Sequence, residues 1–221
     1  MEIREAIMTR KSIRGFKDTP VSKETIADIL NTASRSVSAL NSQPWRCIVL
    51  AGDIKDKIGE ANVQAFLSGA EEDVKDPVMQ GEGRQRMIGV AKQLFAAMDI
   101  QREDKEKRLW WSQRGFRFFD APAVVLICID KEFDSEFHRL DIGAFMQNFT
   151  LAAMDYGLGT CVELQAVTYL GGVREYLDVD PNAEFVVGIA LGYPDDDFPA
   201  NHVVSERADM AGLTEWYGFE D

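Results

Sequence analysis

The order of apolar and polar positions along this chain predicts a series of helices that each bury one face. Residues 2–9, 54–68 and 87–98 all have helical spacing. A further helix follows Ser22, which is a predicted N-cap because serine accepts hydrogen bonds from the first free amides of a helix. The apolar stripe of this helix falls at i, i+3, i+4 and i+7, on Ile26, Ile29, Leu30 and Ala33.

Short apolar runs bounded by glycine, proline or charged residues predict the strands. Four such runs have strand length: 45–51, 123–129, 160–164 and 185–191. The run 123–129 contains no polar position, which is typical of a strand covered on both faces. Helices and strands therefore succeed one another around a small central sheet, and the sequence predicts a single α+β domain over residues 1–221.

Residues 141–156 are apolar on nearly every side, and their length favours a helix that is covered all round. A chain of 221 residues has limited room to cover such a helix by itself. We therefore expect this helix to lie at an interface between two subunits. Gly157 follows it and suits the left-handed position that ends many helices.

Composition narrows the functional classes. The formal net charge is −13, and so acidic a surface repels the phosphate backbone of nucleic acid. No uninterrupted apolar stretch reaches the length of a membrane span, and the N-terminus lacks a secretory signal, so a cytoplasmic location is expected. The cysteines are predicted to be buried reduced thiols: Cys47, Cys128 and Cys161. Neither they nor the two histidines have the spacing of a metal site.

A basic segment near the N-terminus runs against this acidic balance. Within the segment Arg10–Arg14 (RKSIR), Arg10, Ser12 and Arg14 alternate, so an extended backbone projects their side chains to one side. Guanidinium groups and a hydroxyl are suitable donors to a phosphate. The charges alone are equally typical of a solvated helix end.

Two further motifs stand out later in the chain. The polar loop 38–45 (SALNSQPW) leads into the first predicted strand, and a Gly192-Tyr193-Pro194 turn is followed by Arg207. Each alone is typical of an ordinary turn. The chain has no Gly-x-Ser-x-Gly motif, no P-loop and no Gly-x-Gly-x-x-Gly fingerprint, so these hydrolase and nucleotide-binding classes are not indicated.

Taken together, these motifs resemble the nitroreductase family in order and spacing. The matching positions are Arg10/Ser12/Arg14, Asn41-Ser42-Gln43-Pro44-Trp45, Gly157-Leu158-Gly159, and Gly192-Tyr193-Pro194 with Arg207. The resemblance implies a three-layer α-β-α domain with a small central, mostly antiparallel sheet. It also implies an interlocked homodimer that binds FMN at two sites between the subunits.

The resemblance further implies the residues that would bind FMN: Arg10, Lys11, Ser12, Arg14, Ser38, Ala39, Leu40, Asn41, Glu163, Leu164, Gln165 and Arg207. The basic segment and Arg207 would hold the phosphate, and residues 38–41 would come from the partner subunit. Residues 163–165 would lay their backbone against the isoalloxazine ring. No catalytic side chain is expected, because the flavin carries the chemistry.

The activity implied is hydride transfer from NADH or NADPH through FMN to an electron-poor acceptor by a ping-pong mechanism. A nitroaromatic compound is the first choice of acceptor. The alternative acceptors are a quinone, a free flavin, an enone and a halogenated aromatic. The alternative functions are a flavin-binding protein without catalysis and an acidic interaction module without cofactor. Residues 63–118 form the predicted variable substrate lid, and Trp110, Trp111 and Phe116 are its predicted acceptor wall.

Overall fold

The computed structural model describes residues 2–133 and 135–219. Within these residues the helices are α1 (Ile3–Thr9), α2 (Lys23–Ala33), α3 (Gly52–Ser68), α4 (Gly81–Ala97), α5 (Lys105–Phe116), α6 (Glu136–Asp155), α7 (Gln165–Thr168) and α8 (Gly171–Tyr176). The strands are β1 (Arg46–Ala51), β2 (Ala123–Asp130), β3 (Gly159–Glu163) and β4 (Ala183–Gly192).

The strands form one antiparallel sheet in the order β1-β2-β4-β3. The two central strands, β2 and β4, pair from Ala123 opposite Leu191 to Asp130 opposite Ala183. Every residue of β2 from Ala123 to Ile129 is buried, which confirms the prediction that this strand is covered on both faces. β3 lies at one edge of the sheet, with only β4 as a neighbouring strand.

Helices cover both faces of the sheet, so the domain has the expected three layers. On one face, Ile29 of α2 and Phe145 and Phe149 of α6 pack against β2 and β4. On the other face, Ile58 of α3 and Val173 of α8 pack against the opposite sides of the same strands. This leaves the edge strand β3 accessible to the segment that precedes α2.

Local signals explain most of the element boundaries. Ser22 Oγ accepts a hydrogen bond from Thr25 N at 3.1 Å, which confirms the predicted N-cap. α6 begins at Glu136 rather than at 141, since Ser135 caps it by accepting from His138 N. Gly157 has the predicted left-handed conformation, with φ at +69°.

α6 has an apolar face that the described residues of this chain do not cover. Phe137 and Leu140 near its beginning are 67% and 69% exposed. The prediction that the helix lies between two subunits stays a prediction, and these side chains are the surface on which it depends. Although α6 has 20 residues, neither it nor any other helix in the described part of the chain is apolar enough to cross a membrane.

Candidate functional site

The basic segment Arg10–Arg14 runs alongside the edge strand β3. Ser12 forms a parallel bridge with Thr160, and the backbone N–H of Ile13 donates to the Thr160 carbonyl at 2.9 Å. The segment is therefore held in an extended form by backbone pairing. Lys11 is half-buried within it.

The side chains of this segment gather around one buried thiol that the sequence did not single out as a site residue. Cys161 in β3 lies within electrostatic range of Arg10 and Arg14, and Ser12 hydrogen-bonds to its sulfur. Burial raises the pKa of Cys161 to about 12, although the nearby Arg14 charge and the Ser12 hydrogen bond act in the opposite direction. The thiol is thus neutral, and it marks where the three donors converge.

Arg207 brings a second positive charge close to Arg10. Arg10 is half-buried, and its pKa is lowered first by burial and then by the charge of Arg207. The Arg207 Nη1 group donates to the Ser205 carbonyl at 2.8 Å and to the Ser205 hydroxyl at 2.7 Å. The last motif of the sequence therefore meets the first one in space.

These guanidinium groups have no carboxylate counter-ion among the residues that the structure describes. Across residues 2–133 and 135–219, none of Arg10, Arg14 and Arg207 forms an ion pair with a carboxylate. Like charges brought together repel, and here burial adds a further cost for Arg10. On a protein with 37 acidic residues, such an unpaired cluster has the character of an anion site.

The backbone that carries Arg14 is fixed by a buried amide. Asn201 Oδ1 accepts from the N–H of Arg14 at 2.7 Å and from the N–H of Gly15 at 3.1 Å. Its Nδ2 group donates to the carbonyls of Gly15 and Asp195, at 2.7 and 2.8 Å. Asn201 is 3% exposed, so these bonds are shielded from competition with water.

A second residue from α5 supports the same segment. Arg114 Nη2 donates to the carbonyl of Arg14 at 2.9 Å and to that of Phe119 at 3.0 Å. The Arg114 guanidinium also pairs with Asp120 at 2.8 Å. Asn201 and Arg114 therefore hold the Arg14 backbone from two sides, and both are positioning residues that sequence patterns did not indicate.

The absence of a side chain at Gly159 allows three segments to touch. A Cβ atom on Gly159 would lie 2.5 Å from Cγ1 of Ile13 and 2.9 Å from Cγ of Pro194. Phe16 bridges to Pro194, next to the turn that contains Tyr193. A side chain at Gly159 would thus push apart the basic segment, β3 and the Gly-Tyr-Pro turn.

A groove of about 530 Å³ opens beside this cluster, between β3 and α5. Its lining includes both charged and aromatic side chains: Arg14, Trp111, Phe119, Glu163, Leu164 and Gln165. Other clefts, of about 640, 720 and 700 Å³, are larger but lie away from the arginine cluster. Size does not select the site here, whereas the unpaired cations and the aromatic lining do.

Glu163 is the most unusual residue of this groove. Both of its carboxyl oxygens are buried and have no hydrogen-bond partner in the described residues. Burial raises the pKa of Glu163 well above its ordinary value of 4.5, and the positive charge of Arg14 opposes that shift without cancelling it. The structure thus favours a neutral carboxylic acid at this position.

The three aromatic residues predicted to face an acceptor have different surroundings. Trp111 lines the groove, with its ring 6.3 Å from that of Phe119. Trp110 is 40% exposed, lies outside the groove lining and has the Arg114 guanidinium 5.4 Å from its ring. The prediction that Phe116 belongs to an acceptor wall needs correction. Phe116 is 6% exposed and its ring lies 4.6 Å from that of Phe66, so it belongs to the core.

The loop predicted to serve a partner subunit is anchored from below by α6. The buried carboxylate of Asp141 accepts from the N–H of Ala39 at 3.1 Å and from the hydroxyl of Ser42 at 3.2 Å. Leu40 is fully exposed and has a φ of +52°, a conformation that a leucine adopts only when its surroundings hold it there. None of residues 38–41 lines the groove of its own chain.

Comparison with known proteins identifies the family. The model of the family described as "Nitroreductase family" matches residues 7–193. The nitrobenzene nitroreductase of Ectopseudomonas oleovorans is 31% identical, with 96% of this chain and 95% of that protein covered. The chloronitrobenzene nitroreductase of Comamonas testosteroni is 32% identical, with the same shares covered.

A solved structure agrees with this result. The crystal structure of the FMN-dependent nitroreductase NfnB from Mycobacterium smegmatis, in complex with NADPH, superposes with a TM-score of 0.90. It is 27% identical, and 97% of each chain is covered. Because the family model covers most of the sequence and relatives above 30% identity align along nearly their whole length, this chain is an oxidoreductase that belongs to the nitroreductase family.

Proposed function

We propose that this protein is an FMN-dependent oxidoreductase that passes electrons from NADPH or NADH to an electron-poor acceptor, with a nitroaromatic compound as the first choice. The observation that carries the proposal is the cluster of unpaired guanidinium groups, Arg10, Arg14 and Arg207, beside an aromatic groove. A phosphate would neutralise the cluster, and a flat ring would fit between the walls of the groove.

The described residues fit both the phosphate and the ring of FMN. Arg10 and Arg207 supply charge-assisted donors for a phosphate, and the hydroxyl of Ser12 lies in the same cluster. Arg14 belongs to both the cluster and the groove, so it links the phosphate end to the ring end. When bound there, FMN supplies the two-electron chemistry that joins donor to acceptor.

The names of the relatives support the choice of acceptor. Two relatives are named as reductases of nitrobenzene and of chloronitrobenzene, and the structural neighbour is FMN-dependent and contains NADPH. For this chain we infer the same class of acceptor, a neutral aromatic ring with an electron-withdrawing nitro group. The ring of Trp111 is the aromatic surface against which such an acceptor stacks.

The proposed substrate lid contains α4, a helix with little buried surface. Only Leu94 among the residues of α4 is buried, and Leu94 lines the groove together with Trp111 of α5. A helix with so few buried contacts moves at low cost. We assign to α4 and α5, within residues 63–118, the covering of the acceptor and the exclusion of water.

A homodimer completes the proposed site. The exposed apolar side chains Val37, Leu40, Phe137 and Leu140 lie on the 38–41 loop, the residue before it and the beginning of α6. Asp141 joins that loop to that helix, so the two form one continuous surface. A second copy that covers this surface would present its own residues 38–41 to the groove.

The experiment that tests this function is an absorbance spectrum of the purified protein under anaerobic conditions. We expect a yellow flavin spectrum that bleaches with NADPH or NADH and regains its colour when nitrobenzene is added. A quinone or an enone that restores the colour where nitrobenzene does not would change the acceptor and leave the rest of the proposal intact. A protein that neither carries nor takes up FMN would contradict the proposal.

A further inference from the structure

Glu163 ends the edge strand β3, and its carboxyl group is buried there without a hydrogen-bond donor from the described residues. Its residue exposure is 8%, and neither carboxyl oxygen has a hydrogen-bond partner among the described residues. A buried polar group without a partner costs free energy, and native structures rarely keep one unless a ligand or water satisfies it. Because Glu163 also lines the groove, a rotation of its side chain would bring the carboxyl to a ligand bound there, and such a ligand is the natural partner.

The charges around Glu163 come from three parts of the chain. Arg14 of the basic segment and Cys161 of β3 are within electrostatic range, and Asp76 of the loop before α4 lines the same groove. Arg14 favours an ionised carboxyl, whereas Cys161 is a neutral thiol. Burial is the largest of the influences, and it favours the neutral acid.

We propose that Glu163 acts as a neutral carboxylic acid that pairs, through one donated and one accepted hydrogen bond, with the imide edge of the flavin ring in the groove. This inference rests on the proposed function, since it requires that FMN bind there. Glu163 is then a specificity-determining residue for the cofactor ring, separate from the arginines that bind the phosphate.

The chemistry of the two groups makes the protonation state decisive. The pyrimidine edge of an oxidised flavin presents a carbonyl, an N–H and a second carbonyl in a row. A neutral carboxyl offers one O–H donor beside one acceptor, so it can bond the N–H and a neighbouring carbonyl together. A carboxylate offers acceptors alone, so it could bond only the N–H and would face the adjacent carbonyl oxygens with negative charge.

Two variants of similar length separate this role from a merely structural one. Glu163→Gln keeps a donor and an acceptor side by side without any titration, whereas Glu163→Met keeps the volume and removes both. The exposed Glu132 provides the matched control, as Glu132→Gln. Both changes at position 163 also remove a buried acid, so the apo protein is expected to fold at least as well as the parent.

The test is to titrate each apo protein with FMN and with 3-methyl-FMN, whose methyl group replaces the imide hydrogen. Flavin fluorescence measures the binding. We expect Glu163→Gln to bind FMN within about threefold of the parent, and Glu163→Met to bind it about tenfold more weakly, the loss expected for two neutral hydrogen bonds. The parent and Glu163→Gln should prefer FMN to 3-methyl-FMN, and Glu163→Met should not.

A second readout follows the proton. As the pH rises, the parent should lose FMN affinity relative to Glu163→Gln, because only the parent can ionise at this position. Equal FMN affinities in all three proteins, with the same preference over 3-methyl-FMN, would overturn this inference while leaving the proposed function standing. A parent that binds neither flavin would overturn the proposed function, and with it this role for Glu163.

Discussion

The side-chain amide of Asn201 accepts a hydrogen bond from the backbone N–H of Arg14 at 2.7 Å, although the two residues are far apart in the sequence. The bond joins the C-terminal part of the chain to the segment that carries the arginine cluster. It means that the position of Arg14 depends on an uncharged residue that does not line the groove.

Replacing Asn201 with alanine should damage both stability and binding. The change leaves the buried N–H groups of Arg14 and Gly15 without an acceptor, so we expect a loss of about 3 kcal/mol in the free energy of unfolding. Urea denaturation measures it, and Asn182→Ala at an exposed position is the control. A loss no greater than that of the control would show that Asn201 does not hold this segment.

Gly159→Ala tests the contact between the motifs. The added methyl group would lie 2.5 Å from Ile13 and 2.9 Å from Pro194, so we expect a destabilisation of about 1–3 kcal/mol from overpacking. Gly89→Ala in α4 is the matched control, because its Cβ meets nothing within 4 Å and alanine favours a helix. The control should gain up to about 1 kcal/mol. Thermal or urea unfolding measures the change in stability of both variants. Equal changes in the two variants would contradict this role for Gly159.

Apolar periodicity predicted most elements, because it records which faces are buried, whereas the three layers were implied by the resemblance to the nitroreductase family. The apolar run 123–129 predicted a strand buried on both faces, and Ser22 was predicted as a helix N-cap from its residue type alone. α7 was not predicted, since its four residues are too few to show a helical period. α6 was predicted to begin too late, because its first turn is polar and the capping Ser135 lies outside the apolar run.

The candidate site was predictable only in part. Motif order pointed to Arg10, Ser12, Arg14 and Arg207. The structure brings the first three together around Cys161 and places Arg207 near Arg10. The residues that hold them, among them Asn201, gave no signal because their role is set by contacts between distant parts of the chain. Phe116 was misplaced for a related reason: aromatic content does not distinguish a core residue from a groove residue.

The stability of the apo protein should record the proton on Glu163. Burial raises its pKa in the folded state well above 4.5, so the folded protein keeps a proton that the unfolded chain releases. The stabilising contribution is fully present below pH 4.5 and is lost as the pH rises towards the raised pKa of the folded state. Within that window the parent should lose about 1.4 kcal/mol per pH unit relative to Glu163→Gln. Urea denaturation at a series of pH values measures this, and parallel curves would mean that Glu163 is not held neutral.

Leu140→Glu tests the dimer surface. Leu140 is 69% exposed within one chain, so the change should alter monomer stability by no more than about 0.5 kcal/mol. If α6 is covered by a second copy, the buried charge should shift the protein to monomers in light scattering after size exclusion. Gln147→Glu adds the same charge at another exposed position of α6 as a control. An unchanged mass in Leu140→Glu would place the interface elsewhere.

Riboflavin, which lacks the phosphate of FMN, shows whether the unpaired arginines bind that phosphate. We predict that the apo protein binds FMN about a hundredfold more tightly than riboflavin, as two charge-assisted hydrogen bonds would produce. The preference should fall to about tenfold in Arg10→Ala and in Arg207→Ala, and it should persist in Arg35→Ala, which changes an exposed arginine elsewhere. Equal affinity for the two flavins in the parent, or an undiminished preference in both site variants, would contradict phosphate binding by these arginines.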